Sequence, residues 1–358
     1  MKKKYILSIC SITLLCIGCV KLGQERQEHE IIKVNLDKIF NRLDLSFCFD
    51  SIYTHTLITP EDEVIGIISK ILFHEGHVFL LSEKQKKIYI FNEHGKYVNK
   101  IDNIGPGPRE YSSITNFFLK DGLIGIIDDR QSMVTFYRLN GDFVNKMSYK
   151  NIFRDIIPYD DSTYLCYTPD FMEKNPYGIW IMDNNGHYKR DIAKPQEKAS
   201  HSINAPWFNM VKKENNEFII YDTSRNKIIT VKNDSVSVEY EFNPNRKTLV
   251  SFPNVKDKRN IHDEYYEIIH VIDADNWIYS TWANIKTFEM THALYQKKEK
   301  ETHSFNELNL ENSIKEYGYP VFSNRANSLV YITHGDELSN LSEKEELNNL
   351  YIHEFIFN

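Results

Sequence analysis

Cysteine is scarce in this chain: five in 358 residues, three of them within the first 19. The other two, Cys48 and Cys166, are too few to staple a disulfide scaffold. Two buried thiols is the simpler reading, with a bond between them as the alternative. Helical periodicity is also scarce, which excludes a helix bundle, and no heptad run appears. No G-x-S-x-G elbow, H-E-x-x-H pair or phosphate loop occurs, so no familiar motif announces a reaction. His74 and His77 flank Glu75-Gly76, but no further ligand stands at metal-site spacing. Positive charge is in deficit, with a formal net of −7. Without residues 1–18 the balance is 40 basic against 50 acidic residues. Nucleic acid and anionic membrane both need concentrated positive charge, so neither is expected as the main partner. One apolar run stands out, Tyr5 to Ile17, and it falls short of the roughly 20 residues that span a bilayer.

That run has a charged leader, Lys2-Lys3-Lys4, and ends in Gly18-Cys19. The pattern resembles a bacterial lipoprotein signal, cleaved before a cysteine that is then acylated. Cys16 stands where that family prefers leucine. The expected division is a signal peptide over 1–18, lipidated Cys19 with a polar tether over 19–48, and one folded domain over 49–358. Glu25, Glu28 and Glu30 give the tether an acidic cast, and acyl chains at Cys19 would tie the protein to a membrane without spanning it.

The folded domain repeats itself. "GHVFLLSEKQKKIYIFNEHGKYVNKI" (Gly76 to Ile101) lies without a gap over "GLIGIIDDRQSMVTFYRLNGDFVNKM" (Gly122 to Met147), offset by 46 residues. Gly76 meets Gly122, Gln85 meets Gln131, Gly95 meets Gly141, and both units carry Val-Asn-Lys near the end. The same strand-turn-strand rhythm recurs, with drift, four more times. Units of roughly 40–50 residues with internal hairpins are the signature of propeller blades, and neither a sandwich nor a β-helix requires them. The expectation is an all-β, six-bladed β-propeller. Its sixth unit is one strand short, while Ser51–Ile58 is a strand without a unit. That strand is expected to complete the last blade against Asn349–Phe357, leaving no open edge. Glu337 to Asn349 has helical character and is expected to decorate that blade.

"GPGPREY" (Gly105 to Tyr111) falls where blade one crosses to the inner strand of blade two. Its prolines fix φ and bias the preceding residues away from helix, so the run reads as a stiff strap with Tyr111 packed between blades. Together with "SIYTHTLITPEDEVIGIISKI" (Ser51 to Ile71) and the blade ending "GKYVNKI", it resembles the six-bladed β-propeller lipoproteins of Bacteroidota, which are related in shape to NHL-repeat propellers. The likeness runs from Ile31 to the end. It implies an outer-membrane lipoprotein of the cell envelope, facing the periplasm or the cell surface, in ligand or carbohydrate contexts; it implies no reaction.

Propellers work through loops at one mouth of the central channel. The repeat places Arg109, Glu110, Tyr111, Asp129, Arg130 and Arg225 among them, and Trp207 with His201 follows a long polar loop. Arginine and carboxylate side chains suit sugars, carboxylates or peptide ends. The competing account is that these are solvated turns, with Glu110 capping strap amides. The expected function is binding of a glycan, peptide or partner protein by a monomer, without catalysis and without a cofactor. The alternatives are a scaffold in a surface complex, or a hydrolase or lyase acting on a sugar acid or lactone. The enzyme would hold Ca2+ or another divalent cation on Asn116, Asp155, Asn209, Glu267 and Asn324, hard oxygen donors from inner strands.

Overall fold

A computed structural model describes residues 29–37, 40–44, 46–169, 178–194, 208–248, 265–309, 320–335 and 348–358. Six sheets follow one another around a ring. Blade one is built from Lys70–His74, His77–Ser82, Lys87–Asn92 and Tyr97–Ile101, and blade two from Asn116–Lys120, Leu123–Asp128, Met133–Arg138 and Phe143–Ser148. The two repeats found in the sequence are therefore two neighbouring blades. Middle strands such as Lys87–Asn92 are packed on both faces by adjoining blades and read as apolar runs, whereas outer strands such as Tyr97–Ile101 are half exposed and mixed.

The ring closes as the sequence anticipates. Phe49–Leu57 lies antiparallel on Leu350–Phe357, with His55 opposite Ile352, and forms the outer strand of blade six. A second seal lies at the inner edge. Phe322–Ser323 pairs in parallel with Lys70 and Ile71 of blade one, while the neighbouring Val321 N–H bonds Val330 O within blade six.

The boundary expected at residue 49 moves upstream. Glu30–Val34 runs parallel to the outer strand of blade four, Ser235–Pro244, and Phe40–Asp44 runs parallel to the outer strand of blade five, Glu301–Asn309. The stretch assigned to a tether thus belts blades four and five before closing blade six. Its own Ile32, Val34 and Leu36 are buried against the ring. Asn245 fastens it, accepting from Leu36 N–H at 2.7 Å and donating its own N–H to Val34 O at 2.9 Å.

Adjacent blades approach closely at the last hairpin turn. Asn92 caps this turn in blade one by accepting from the His94 and Lys96 amides, and Gly95 takes φ +73°. A Cβ at Gly95 would run into the Thr56 carbonyl on the closing strand, and one at Gly186 (φ +79°) would meet Ser148 O in the same way. Glycine is required there twice over, by dihedral and by space.

His353 stitches the closing blade from within. Its Nδ1 lies 3.0 Å from Thr54 Oγ1 and its Nε2 2.8 Å from Thr333 Oγ1. Burial pushes its pKa from 6.5 down to about 4, and burial does the same to His292. The folded protein therefore keeps both neutral while unfolded chains take up protons from pH 6.5 downward. Their contribution to stability is complete above pH 6.5 and is lost as pH falls toward 4. A thermal melt at pH 4.5 should give a Tm lower by at least about 5 °C than at pH 7, and His353→Gln should flatten that profile. Cys48 and Cys166 are buried in separate clusters and are not bonded to each other.

Candidate functional site

In each blade the inner strand starts at the end of the ring where the strap arrives, and the second-to-third-strand turn returns to it. Among the described residues the opposite end carries short turns, such as Glu75-Gly76 and Asp121-Gly122. At the strap end Asp128 ties two loops together. It accepts from the Ser112 and Ser113 amides at 2.6 and 3.2 Å, from both serine hydroxyls, and from Gln131 N–H at 3.2 Å. Burial alone would raise its pKa, but the serine bonds outweigh it and hold the carboxyl below its usual value. Asp128 went unnoticed in the sequence; its signal is an acid ending an apolar strand, repeated at Asp222.

Within the strap, Glu110 turns inward and accepts from Gly107 N–H at 2.7 Å. A Cβ at Gly105 or Gly107 would collide with that carboxylate. Tyr111 is fully buried, donating to Lys86 O at 2.6 Å and packing edge-on against Tyr137, whose hydroxyl donates to Arg109 O at 2.7 Å. Glu110 and Tyr111 thus leave the set of ligand-binding candidates and become the frame. Arg225 leaves it as well: it is 4% exposed and pairs with Asp222 at 2.6 Å. Arg109, Asp129 and Arg130 remain exposed on the frame, and Asp129 is steadied by Ser113 Oγ at 2.9 Å. His201 and Trp207 lie outside the described residues.

The channel carries a feature that the sequence reading missed. Lys70 on the inner strand of blade one is fully buried and donates to Asn116 Oδ1 at 2.8 Å and Phe117 O at 2.9 Å. Its ammonium faces the rings of Phe208, Phe322 and Phe117 at 5.0, 5.3 and 5.4 Å. Asn116 passes the contact on, donating to Asp155 Oδ1 at 2.7 Å. Asp155 Oδ2 takes the Asn209 and Met210 amides at 2.6 and 2.8 Å. Four blades are therefore linked across the axis by one chain of hydrogen bonds, with a lysine as the internal cation. Burial pulls the Lys70 pKa down to about 8 against the opposing pull of Asp155.

This corrects the cation set. Asn116 and Asp155 are committed to Lys70 and to backbone amides, and the Asn209 side chain donates to Tyr221 O at 3.0 Å. Asn324 makes a reciprocal pair with the backbone of Phe73 on an exposed edge. Glu267 is buried within range of the Arg154 charge. Among the described residues no three His, Cys, Asp or Glu side chains gather as metal ligands. The signal that would have revealed Lys70 is a lone basic residue inside the apolar run "GIISKILF".

A family model described as a domain of unknown function, DUF4934, matches residues 30–355. The chain belongs to the DUF4934 family. The match begins at the belt, so the family's domain includes the strands on blades four and five. Among solved structures, this DUF4934 propeller resembles a Bacteroides fragilis protein described as a putative exported protein. Identity is 15% and the TM-score 0.71, over 91% of this chain and 99% of that one. It also resembles a member of the DUF4221 family from Bacteroides vulgatus, with 11% identity and a TM-score of 0.50, covering 87% and 97% of the two chains. At these identities the likeness is one of fold. No curated protein matches the chain significantly.

Proposed function

We propose that this protein is an exported, lipid-anchored binding propeller of the cell envelope whose ligand meets the strap face. The observation that carries this reading is the contrast within the strap region. Asp128, Glu110 and Tyr111 are spent on holding two loops rigid, while Arg109, Arg130 and Asp129 are held out to solvent from that frame. Preorganised loops lose little entropy on binding, and guanidinium groups pair with carboxylates in two-pronged fashion. The ligand class is accordingly a glycan or peptide with an accessible carboxylate. Export and acylation at Cys19 are supported by the charged leader, the short apolar run and the Gly18-Cys19 ending, and by the description of the Bacteroides fragilis protein as exported.

Binding of the soluble chain from residue 20 to an array of acidic glycans and peptides tests the reading. The double variant Arg109→Ala/Arg130→Ala should lose at least about tenfold in affinity for a hit, as expected for two charge-assisted contacts, with an unchanged melt. Undiminished binding by the double variant, or an array without hits, would remove the strap face from consideration.

A further inference from the structure

A cleft of about 410 Å³ opens between blades two and three, on the side away from the strap. Its size is in the range that takes a small ligand. Lys120, at the end of the inner strand of blade two, forms one wall and is only 9% exposed. The ammonium donates to Asn184 Oδ1 at 2.9 Å and sits 4.3 Å from the centre of the Tyr164 ring. Among the described residues no carboxylate lies within ion-pair distance of it. Asp121, Asp160 and Asp161 act on it from farther off, and burial, the larger effect, lowers its pKa. Lys70 shows how this fold treats a buried ammonium elsewhere, with a linked carboxylate and a ring cage. Lys120 lacks the carboxylate and retains N–H donors that the cleft can use. The remaining walls join an apolar floor at Phe136 to a rim bearing the Asn145 and Asn185 amides, with Asp121 and Lys146 also on the lining. These rim amides form no side-chain hydrogen bond among the described residues, so they are available to hydroxyls.

We propose that this cleft is a second binding site, taking a small polyhydroxylated carboxylate of the uronic acid type, with the carboxylate on Lys120 and the hydroxyls on Asn145 and Asn185. A buried cation without an ion pair supplies the selectivity, because a neutral sugar brings it no counter-charge. The site is separate from the strap face and stands or falls without it.

Calorimetric titration of the soluble chain from residue 20 with sodium glucuronate, against glucose at equal ionic strength, tests the proposal. Glucuronate should bind at least tenfold more tightly than glucose, Lys120→Met should remove that difference, and Arg109→Ala/Arg130→Ala should leave it intact. Absence of glucuronate binding, equal binding of glucose, or unchanged glucuronate affinity in Lys120→Met would overturn it. Should Lys120→Met not fold, Asn145→Ala/Asn185→Ala decides: a several-fold weaker affinity supports the site, and an unchanged one rejects it.

Discussion

A chain beginning at Thr59 should show no cooperative melt, whereas one beginning at Ser46 should melt cooperatively at a reduced temperature. The first truncation removes Phe49–Leu57 and so exposes the whole edge of Leu350–Phe357, together with the packing of Phe49 on Phe355 and Phe357 at 5.4 and 4.9 Å. It also leaves Gly95 without the backbone it was shaped to meet. Each large apolar side chain brought back to water costs about 1.5–3 kcal/mol. With a ladder of hydrogen bonds lost besides, the total rivals the whole stability of about 5–15 kcal/mol that a domain possesses. The second truncation removes only the belt over blades four and five, whose own sheets retain four and five strands. Calorimetry and circular dichroism would read both. A chain from Thr59 that melts like the parent would show that the ring does not depend on this latch.

Lys70→Met should destabilise the fold by up to about 3–5 kcal/mol, the cost of deleting one member of a contacting buried charge pair, since Asn116 stands between Lys70 and Asp155. The methionine keeps most of the volume between Phe208 and Phe322, so the loss would come from Asp155, left with backbone and Asn116 donors but without its counter-charge. Asp155→Asn should restore part of that stability in the double variant, because it removes the orphaned charge. A denaturant-based double-mutant cycle measures the coupling. Strictly additive losses would mean that Asn116 does not transmit the interaction and that the lysine is held by its aromatic cage alone.

The blades were legible in the sequence because their determinants are local. Apolar middle strands, the glycines at 95 and 141 and the recurrent Val-Asn-Lys all sit within one repeat, and the shared offset exposes them. The belt was hidden because Glu30–Val34 is a short strand in a charged stretch, and its partner is Ser235–Pro244, far along the chain. Only the finished ring provides that partner. The strap is legible as structural from its glycines and prolines, but residue type does not reveal which way a side chain turns, so its polar residues also resemble ligand contacts. Glu110 turns inward because Gly107 N–H would otherwise be unsatisfied; Arg225 turns inward to meet Asp222. Arg109, Asp129 and Arg130 stay outside because nothing within the frame requires them.

The belt also dictates when this protein is able to finish folding. Its two strands and the closing strand Phe49–Leu57 are made before their partners, the last of which is Leu350–Phe357, and Thr54 waits for His353 across 299 residues of sequence. Closing so long a loop is entropically slow and gives a high contact order. Until Leu350–Phe357 is made, the closing strand has no sheet to join, and the incomplete ring presents open edges. A nascent chain therefore stays unlatched until Leu350–Phe357 has been made.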